Sequence, residues 1–269
     1  MTSPVASILE RFDREMRRDP PPVEGKRIER SGDVVRSVGS YNTICAWPND
    51  GDHIERCVAE QAAHFHGLGQ AVEWKVYGHD GPPDIEAVLG AHGFEPEERE
   101  TFMLLDLRTE TCDIAAPPGI DVRRVRTPEE LETYLAVALR AFGSPAKSDA
   151  GRLGRRAFGS APELAIFVAY ADGVPAAGAR LEMPRGRSFA SMWGGGTDPA
   201  YRHRGLFRAL VAARAAMARS AGCAFLTVDA RETSRPILER LGFVAATGVT
   251  AWVLPAAGQR TEGPAIPSA

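Results

Sequence analysis

Apolar positions in this chain recur with two periods, and the switches between those periods mark out its elements. Val5, Ile8, Leu9, Phe12 and Met16 repeat at helical spacing. Asp19-Pro20-Pro21-Pro22 stops that helix, because proline has no amide hydrogen and its ring clashes with the preceding turn. Val34–Val38 and Tyr41–Trp47 read as strands around Gly39-Ser40. His53–Phe65 predicts a helix with Ile54, Cys57, Val58 and Ala62 on one face. Val72–Tyr77 predicts a strand, Asp84–Leu89 a short helix and Thr101–Leu107 another strand.

A second series starts at Ile120–Val125, an alternating strand. Thr127-Pro128-Glu129-Glu130 opens a helix, with threonine at the cap, proline in the first turn and glutamate three residues after the cap. A further helix is predicted over Ser148–Phe158, then strands over Leu164–Ala171, Ala176–Met183 and Phe189–Thr197. Asp172-Gly173 is a hairpin signal between the first two of these strands. Arg202–Ala221 follows as a long helix with Leu206, Leu210, Ala213 and Met217 as its apolar stripe. Ala224–Val228 reads as a buried strand, Ser234–Leu241 as a helix ended by Gly242, and Val249–Leu254 as the last strand. The order βααβββαβαβ is α/β, with an antiparallel front and a parallel crossover behind it.

Between the two series, the proline-containing run Thr111–Gly119 reads as a linker. The expected organisation is a first domain over residues 1–112, a second over 118–255, and a disordered tail over 256–269. From Val34 onward the first series echoes the second, down to Gly93-Phe94 against Gly242-Phe243.

Composition narrows the classes. Apolar residues make up 44% and charged residues 25%, the balance of a soluble globular protein, and no apolar run is long enough for a membrane span. The net charge of −3 argues against nucleic-acid binding through a bulk basic surface. Cys45, Cys57, Cys112 and Cys223 have no metal-ligand spacing and read as small apolar residues in a reducing compartment. The N-terminal run has no basic region followed by an apolar core, so no secretory signal is expected. A cytoplasmic protein without a metal and without a membrane or nucleic-acid partner is expected; a homodimer is left open.

The run Trp193-Gly194-Gly195-Gly196-Thr197-Asp198-Pro199-Ala200-Tyr201-Arg202-His203-Arg204-Gly205-Leu206-Phe207-Arg208 carries the chemistry. The first amides of a helix lack internal acceptors and carry positive partial charge, so they attract phosphate. Gly205, read as lying within the first helical turn, leaves room for an anion, and Arg202 and Arg204 add cationic donors. Gly194–Gly196 leave a strand backbone open to an extended amide ligand such as pantetheine, or else mark a bulge or a tight crossing.

Arg202-His203-Arg204-Gly205-Leu206-Phe207 resembles the pyrophosphate signature Q/R-x-x-G-x-G/A of the GNAT superfamily of acyl-CoA-dependent N-acyltransferases, with Phe207 at the position of the final small residue. Ser234–Phe243 resembles that family's fourth helix with its Leu-Gly-Phe ending. The resemblance covers about Ile120–Leu254 and implies a mixed central sheet splayed between two parallel strands, here Phe189–Thr197 and Ala224–Val228. It implies acetyl-CoA as acyl donor, with pantetheine along Gly195, Gly196 and Thr197 and pyrophosphate on the amides of His203, Arg204, Gly205, Leu206, Phe207 and Arg208. The first series is then a degenerate tandem copy. It has the acidic run Trp47-Pro48-Asn49-Asp50-Gly51-Asp52 in place of the basic turn, and it is expected to bind no cofactor.

The tyrosine that many members use as general acid is Leu238 here. Ser234 could protonate or orient the sulfur, or cap its helix; Glu182 and Asp229 are candidate bases. The expected function is transfer of an acetyl group to a primary amine of a small or amino-acid-like acceptor. The alternative is a non-catalytic acyl-CoA sensor or interaction module.

Overall fold

The computed structural model describes residues 4–49, 51–109, 114, 117–143, 150–159 and 163–256. In chain order the elements are α1 (Pro4–Phe12), which continues as a π-helical turn over Asp13–Arg18, β1 (Lys26–Ser31), β2 (Val34–Gly39), β3 (Thr43–Ala46), α2 (Gly51–Gly67), β4 (Val72–Tyr77), α3 (Ile85–Ala91), β5 (Glu95–Pro96) and β6 (Glu100–Asp106). Then come β7 (Ile120–Arg124), α4 (Pro128–Phe142), α5 (Ala150–Phe158), β8 (Leu164–Ala171), β9 (Val174–Glu182), β10 (Phe189–Thr197), a 3₁₀ turn over Pro199–Tyr201, α6 (Leu206–Ser220), β11 (Phe225–Ala230), α7 (Arg235–Arg240) and β12 (Val244–Leu254).

Local signals act as the residues predict. The Thr127 hydroxyl accepts from the Glu130 amide while Glu130 reaches back to the cap, so α4 starts with a capping box. Asp172 and Gly173 both have positive φ, +52° and +79°, as a two-residue hairpin turn requires. β1 was not expected: Lys-Arg-Ile-Glu-Arg-Ser has no apolar alternation, and it forms because an edge strand needs only one paired side.

The chain forms two compact units, and their division departs from the 1–112 and 118–255 domains expected from the linker signal. Of the described residues, one unit takes those up to Phe102 together with 246–256; the other takes those from Met103 to Ala245. Each therefore uses a strand from the opposite half of the sequence. Within the first unit the strands run β1-β2-β3-β4-β12, and β12 pairs antiparallel to β4 from Val249↔Tyr77 to Leu254↔Val72. In the second they run β6-β11-β10-β9-β8-β7. Thr111–Asp113 of the expected linker and residues 257–269 of the expected tail lie outside the described residues.

The two units repeat one plan. An antiparallel pair (β2-β3; β9-β10) leads into a helix (α2; α6) and then a strand parallel to the second of the pair (β4; β11). In the second unit helices cover both sheet faces. β8, Leu-Ala-Ile-Phe-Val-Ala-Tyr-Ala, is accordingly buried almost throughout rather than at alternate positions. Phe167 and Ala169 join the core that holds Leu206, Leu210 and Val211 of α6, while Ile166 and Val168 join Leu131, Val137 and Leu153 of α4 and α5. Leu210 and Val211 are fully buried, each worth about 1.5–3 kcal/mol. Among the described residues no helix is long and apolar enough to cross a membrane.

Candidate functional site

The site begins where two parallel strands part. β10 and β11 pair only over Phe189↔Phe225, Ala190↔Leu226 and Ser191↔Thr227, although both strands continue. Hydroxyls mark the last rung: Ser191 Oγ and Thr227 Oγ1 lie 3.0 Å apart, and Thr227 also donates to the Ala190 carbonyl at 3.2 Å. On its other edge β10 pairs with β9 as Trp193↔Arg180 and then Gly196↔Gly178, so two residues, Gly194 and Gly195, oppose one. This is a β-bulge at the mouth of the splay.

The three glycines serve different ends. Gly194 has φ +54°, which the bulge needs and a side chain resists. Gly196 is required by packing, since a Cβ there would come within 2.6 Å of the Phe142 ring and 2.9 Å of Ala141 on α4. Gly195 has neither constraint. Its Cβ would meet Phe207 Cε2 and Arg214 Nη2 at 3.6 Å, ordinary contact distances, so glycine at this half-exposed position leaves a gap. Both readings of the triplet, bulge and close crossing, thus hold at separate residues.

From Thr197 the chain passes through Asp198, whose carboxylate accepts from the Ala200 amide at 3.0 Å and is held by Arg140 at 2.7 Å. It then enters the turn before α6. His203 and Gly205 have φ +63° and +85°, incompatible with a helix, so α6 starts at Leu206 and not at Arg202. Gly205 is the residue before the helix rather than part of its first turn. Its Cβ would point at Pro117 Cγ, 3.2 Å away, so glycine stands here for backbone conformation and packing rather than for phosphate room. The first helical bond runs from the Ala209 amide to the Gly205 carbonyl at 3.0 Å. The amides of Leu206, Phe207 and Arg208 therefore precede any α-helical acceptor and form an anion-receptive end.

Arg202, His203, Arg204 and Arg208 are exposed around this end, and Arg204 is already engaged by Asp172 at 2.5 Å. The Leu206 side chain is buried, and Phe207 packs against the same core. Gly195, Gly196 and Thr197 lie on β10, and Arg202–Arg208 follow it directly into α6.

The acid–base candidates have other engagements. Glu182, opposite Ser191 in the β9-β10 register, is bound to Arg156 of α5 at 3.0 Å. Arg156 thus turns inward, its side chain only 11% exposed. Ser234 occupies the position before α7 but makes no capping bond; its hydroxyl donates to the Arg231 carbonyl at 3.1 Å. Leu238 is fully buried in the core beside Phe243 and Leu206, where it offers no proton. Asp229 lies on β11 beyond the last rung paired with β10.

Arg214 and Tyr134 were missed. The buried face of α6 runs through Leu206, Leu210, Arg214 and Ala218, at steps of four, whereas the expected stripe ran through Ala213 and Met217, which are only partly buried. That an arginine falls on the line Leu206-Leu210-Ala218 was the available signal. Arg214 is fully buried, and its Nε donates to the Leu210 carbonyl at 3.1 Å. Burial pushes its pKa down to about 9, so it remains a cation at neutral pH. Tyr134 of α4 is also buried, with its hydroxyl 3.5 Å from where a Gly194 Cβ would lie. Desolvation raises its pKa despite the nearby charges of Arg180 and Arg214, so it keeps its proton.

The equivalent loop of the first unit is built differently. Trp47 follows β3, donates its indole N–H to the Gly81 carbonyl at 3.0 Å and packs against Trp74, while Arg17 stacks over it. Asp50 and the Asp52 side chain lie outside what is described. Among the described residues Asp13, His79 and Asp80 form a group of potential metal-ligand type, but Arg17 bonds both carboxylates at 2.6–2.8 Å and supplies the counter-charge itself.

The second unit thus has a sheet opened between parallel strands, with an anion-receptive helix start just past the opening. Residues 131–243, most of the second unit, match the model of the acetyltransferase (GNAT) family. Solved structures share the fold across both units. A GCN5-related N-acetyltransferase from Kribbella flavida has 19% identity, with 93% of this chain and 94% of that chain covered and a TM-score of 0.64. A tandem GNAT protein from the clavulanic acid biosynthesis pathway has 16% identity, coverage of 89% and 86%, and a TM-score of 0.58. A GCN5-related N-acetyltransferase from Sphaerobacter thermophilus has 14% identity, coverage of 82% and 76%, and a TM-score of 0.58. The fold is thus α/β in two tandem GNAT-like copies. A search of curated proteins finds no match.

Proposed function

We propose that the second unit binds acyl-coenzyme A, with acetyl-CoA as the simplest donor, and moves its acyl group to a primary amine of a small or amino-acid-like acceptor. The observation that carries this reading is the α6 start: three amides without helical acceptors, with the exposed Arg202, Arg204 and Arg208 next to them in sequence, shortly after the strand that leaves its parallel partner at Ser191. A diphosphate fits the first feature through charge and hydrogen bonding. An amide-bearing arm fits the second, because the β10 edge toward β11 has backbone to offer beyond the last rung.

In the reaction the amine nitrogen bonds to the thioester carbon, the C–S bond breaks, and one proton moves in net from nitrogen to sulfur. With Leu238 in the core, Glu182 held by Arg156 and Ser234 turned to a carbonyl, much of the rate is assigned to holding the reactants in contact. The Tyr134 hydroxyl, protonated and beside the bulge, is the group we assign to proton delivery.

The test is thiol release from acetyl-CoA over an amine panel, with coenzyme A affinity measured by calorimetry. Wild type should bind coenzyme A and turn over at least one amine, and Gly205→Glu should lose both. Equal behaviour of that variant would remove the site. Binding without turnover on any amine would instead support an acyl-CoA sensor, a reading favoured by the engagement of Glu182 and Ser234 elsewhere.

A further inference from the structure

Among the described residues Arg214 is a buried cation with no carboxylate bound to it. Its Nη1 and Nη2 are buried and meet no hydrogen-bond partner among the described residues, while its Nε donates to the Leu210 carbonyl of its own helix. A guanidinium has five donors in a planar fork suited to a carboxylate. Leaving two of its nitrogens unpaired in the interior is costly, so a fold that keeps them there gains only when something fills them. The fork has no exposed surface of its own, but it lies directly beneath one position of the β10 strand. Nη2 and Nη1 lie 3.6 and 3.7 Å from the position a Gly195 Cβ would take, and Gly195 is half-exposed on the bulge of β10. The missing side chain is therefore a gap from the strand surface toward the guanidinium, with Phe207 as its apolar wall.

We propose that Arg214 receives a carboxylate carried by one of the two reactants, reached past Gly195, and so makes the enzyme selective for a reactant that bears one. The proposal rests on the acyl-CoA reading. The carboxylate has two candidate sources: the far end of a dicarboxylic acyl thioester, or the α-carboxylate of an amino-acid acceptor.

Calorimetry separates them. One arm compares succinyl-CoA with butyryl-CoA, which has the same chain length and no terminal charge. The other compares the proteinogenic α-amino acids with their decarboxylated amines, in the presence of coenzyme A. In one arm wild type should favour the carboxylated member by about ten- to a hundredfold, the strength of a hydrogen-bonded charge pair. Arg214→Met should abolish that ratio by weakening the carboxylated member alone, with a melting temperature equal to or above wild type because an unpaired buried charge is gone. Arg214→Lys should retain part of the ratio. Gly195→Ala, whose methyl fits at ordinary contact distance but fills the gap, should lower it without depending on any change to Arg214. No preference in either arm, or a ratio unchanged in Arg214→Met and Gly195→Ala, overturns the proposal. Free coenzyme A keeps the two readings distinct: if it fails to bind wild type, the acyl-CoA reading falls, and if it binds while both arms are flat, only the role of Arg214 falls.

Discussion

Asp172 holds Arg204 by an ion pair of 2.5 Å, joining the tip of the β8-β9 hairpin to the loop that enters α6. Asp172 has φ +52° in its two-residue turn and projects a largely exposed carboxylate toward one of the cations that the proposed function gives to pyrophosphate. Under the proposed function, the pair and an incoming diphosphate would compete for the same donors.

Asp172→Asn should therefore strengthen coenzyme A binding. An exposed ion pair is worth little, so the gain should be at most about fivefold, and it should shrink as salt is raised. Asparagine keeps the left-handed turn accessible, so stability should hardly change. Calorimetric titration at two ionic strengths measures both effects. Weaker binding in the variant would mean that Asp172 positions Arg204 for the ligand rather than withholding it.

Gly205→Ala should cost about 1–2 kcal/mol of unfolding free energy, the strain of a left-handed residue with a Cβ, to which contact with Pro117 at 3.2 Å adds. Coenzyme A affinity should fall as the first amides of α6 are re-aimed. Chemical denaturation and calorimetry on the same preparation report the two consequences. An unchanged denaturation midpoint would show that the turn relaxes without penalty.

Gly195 and Gly196 are adjacent yet should respond oppositely. Gly196→Ala drives a methyl into Phe142 and Ala141 and should destabilise by about 1–3 kcal/mol, as overpacking does. Gly195→Ala should leave stability near wild type, because its nearest neighbours stand at 3.6 Å. Thermal melts of the two variants side by side test the contrast; equal losses would contradict the assignment of one glycine to packing and the other to a gap.

The first unit should lose stability in acid through Asp13. Burial alone would raise this carboxyl, but the hydrogen bond with His79 and the charge of Arg17 outweigh it and set its pKa below the usual 3.8. A lowered carboxylate pKa stabilises fully above the unfolded value, and the contribution is lost as pH falls through the folded one. Asp13→Asn should therefore flatten the decline of stability with pH below about pH 4. Arg17→Met, which strands Asp13 and Asp80 together, should cost about 3 kcal/mol or more near neutrality. Urea midpoints across a pH series check both variants.

What the sequence determined by itself was whatever is decided within a few residues. The bounds of Val72–Tyr77, Leu164–Ala171 and Phe189–Thr197 follow from apolar runs closed by turn residues, and Thr127 with Glu130 and Asp172 with Gly173 write their cap and turn in adjacent positions. The glycine-rich strand leading into an anion-receptive helix was legible for the same reason. Only the tertiary structure decided which partners met across long separations. It paired β12 with β4, buried Arg214 beneath a gap at Gly195, tied Glu182 to Arg156, and put Leu238 in the core. Periodicity and capping energies reach one or two turns along the chain. Sheet-edge pairing and the burial of a charge depend instead on what the rest of the fold brings alongside, and no local pattern of side chains encodes that.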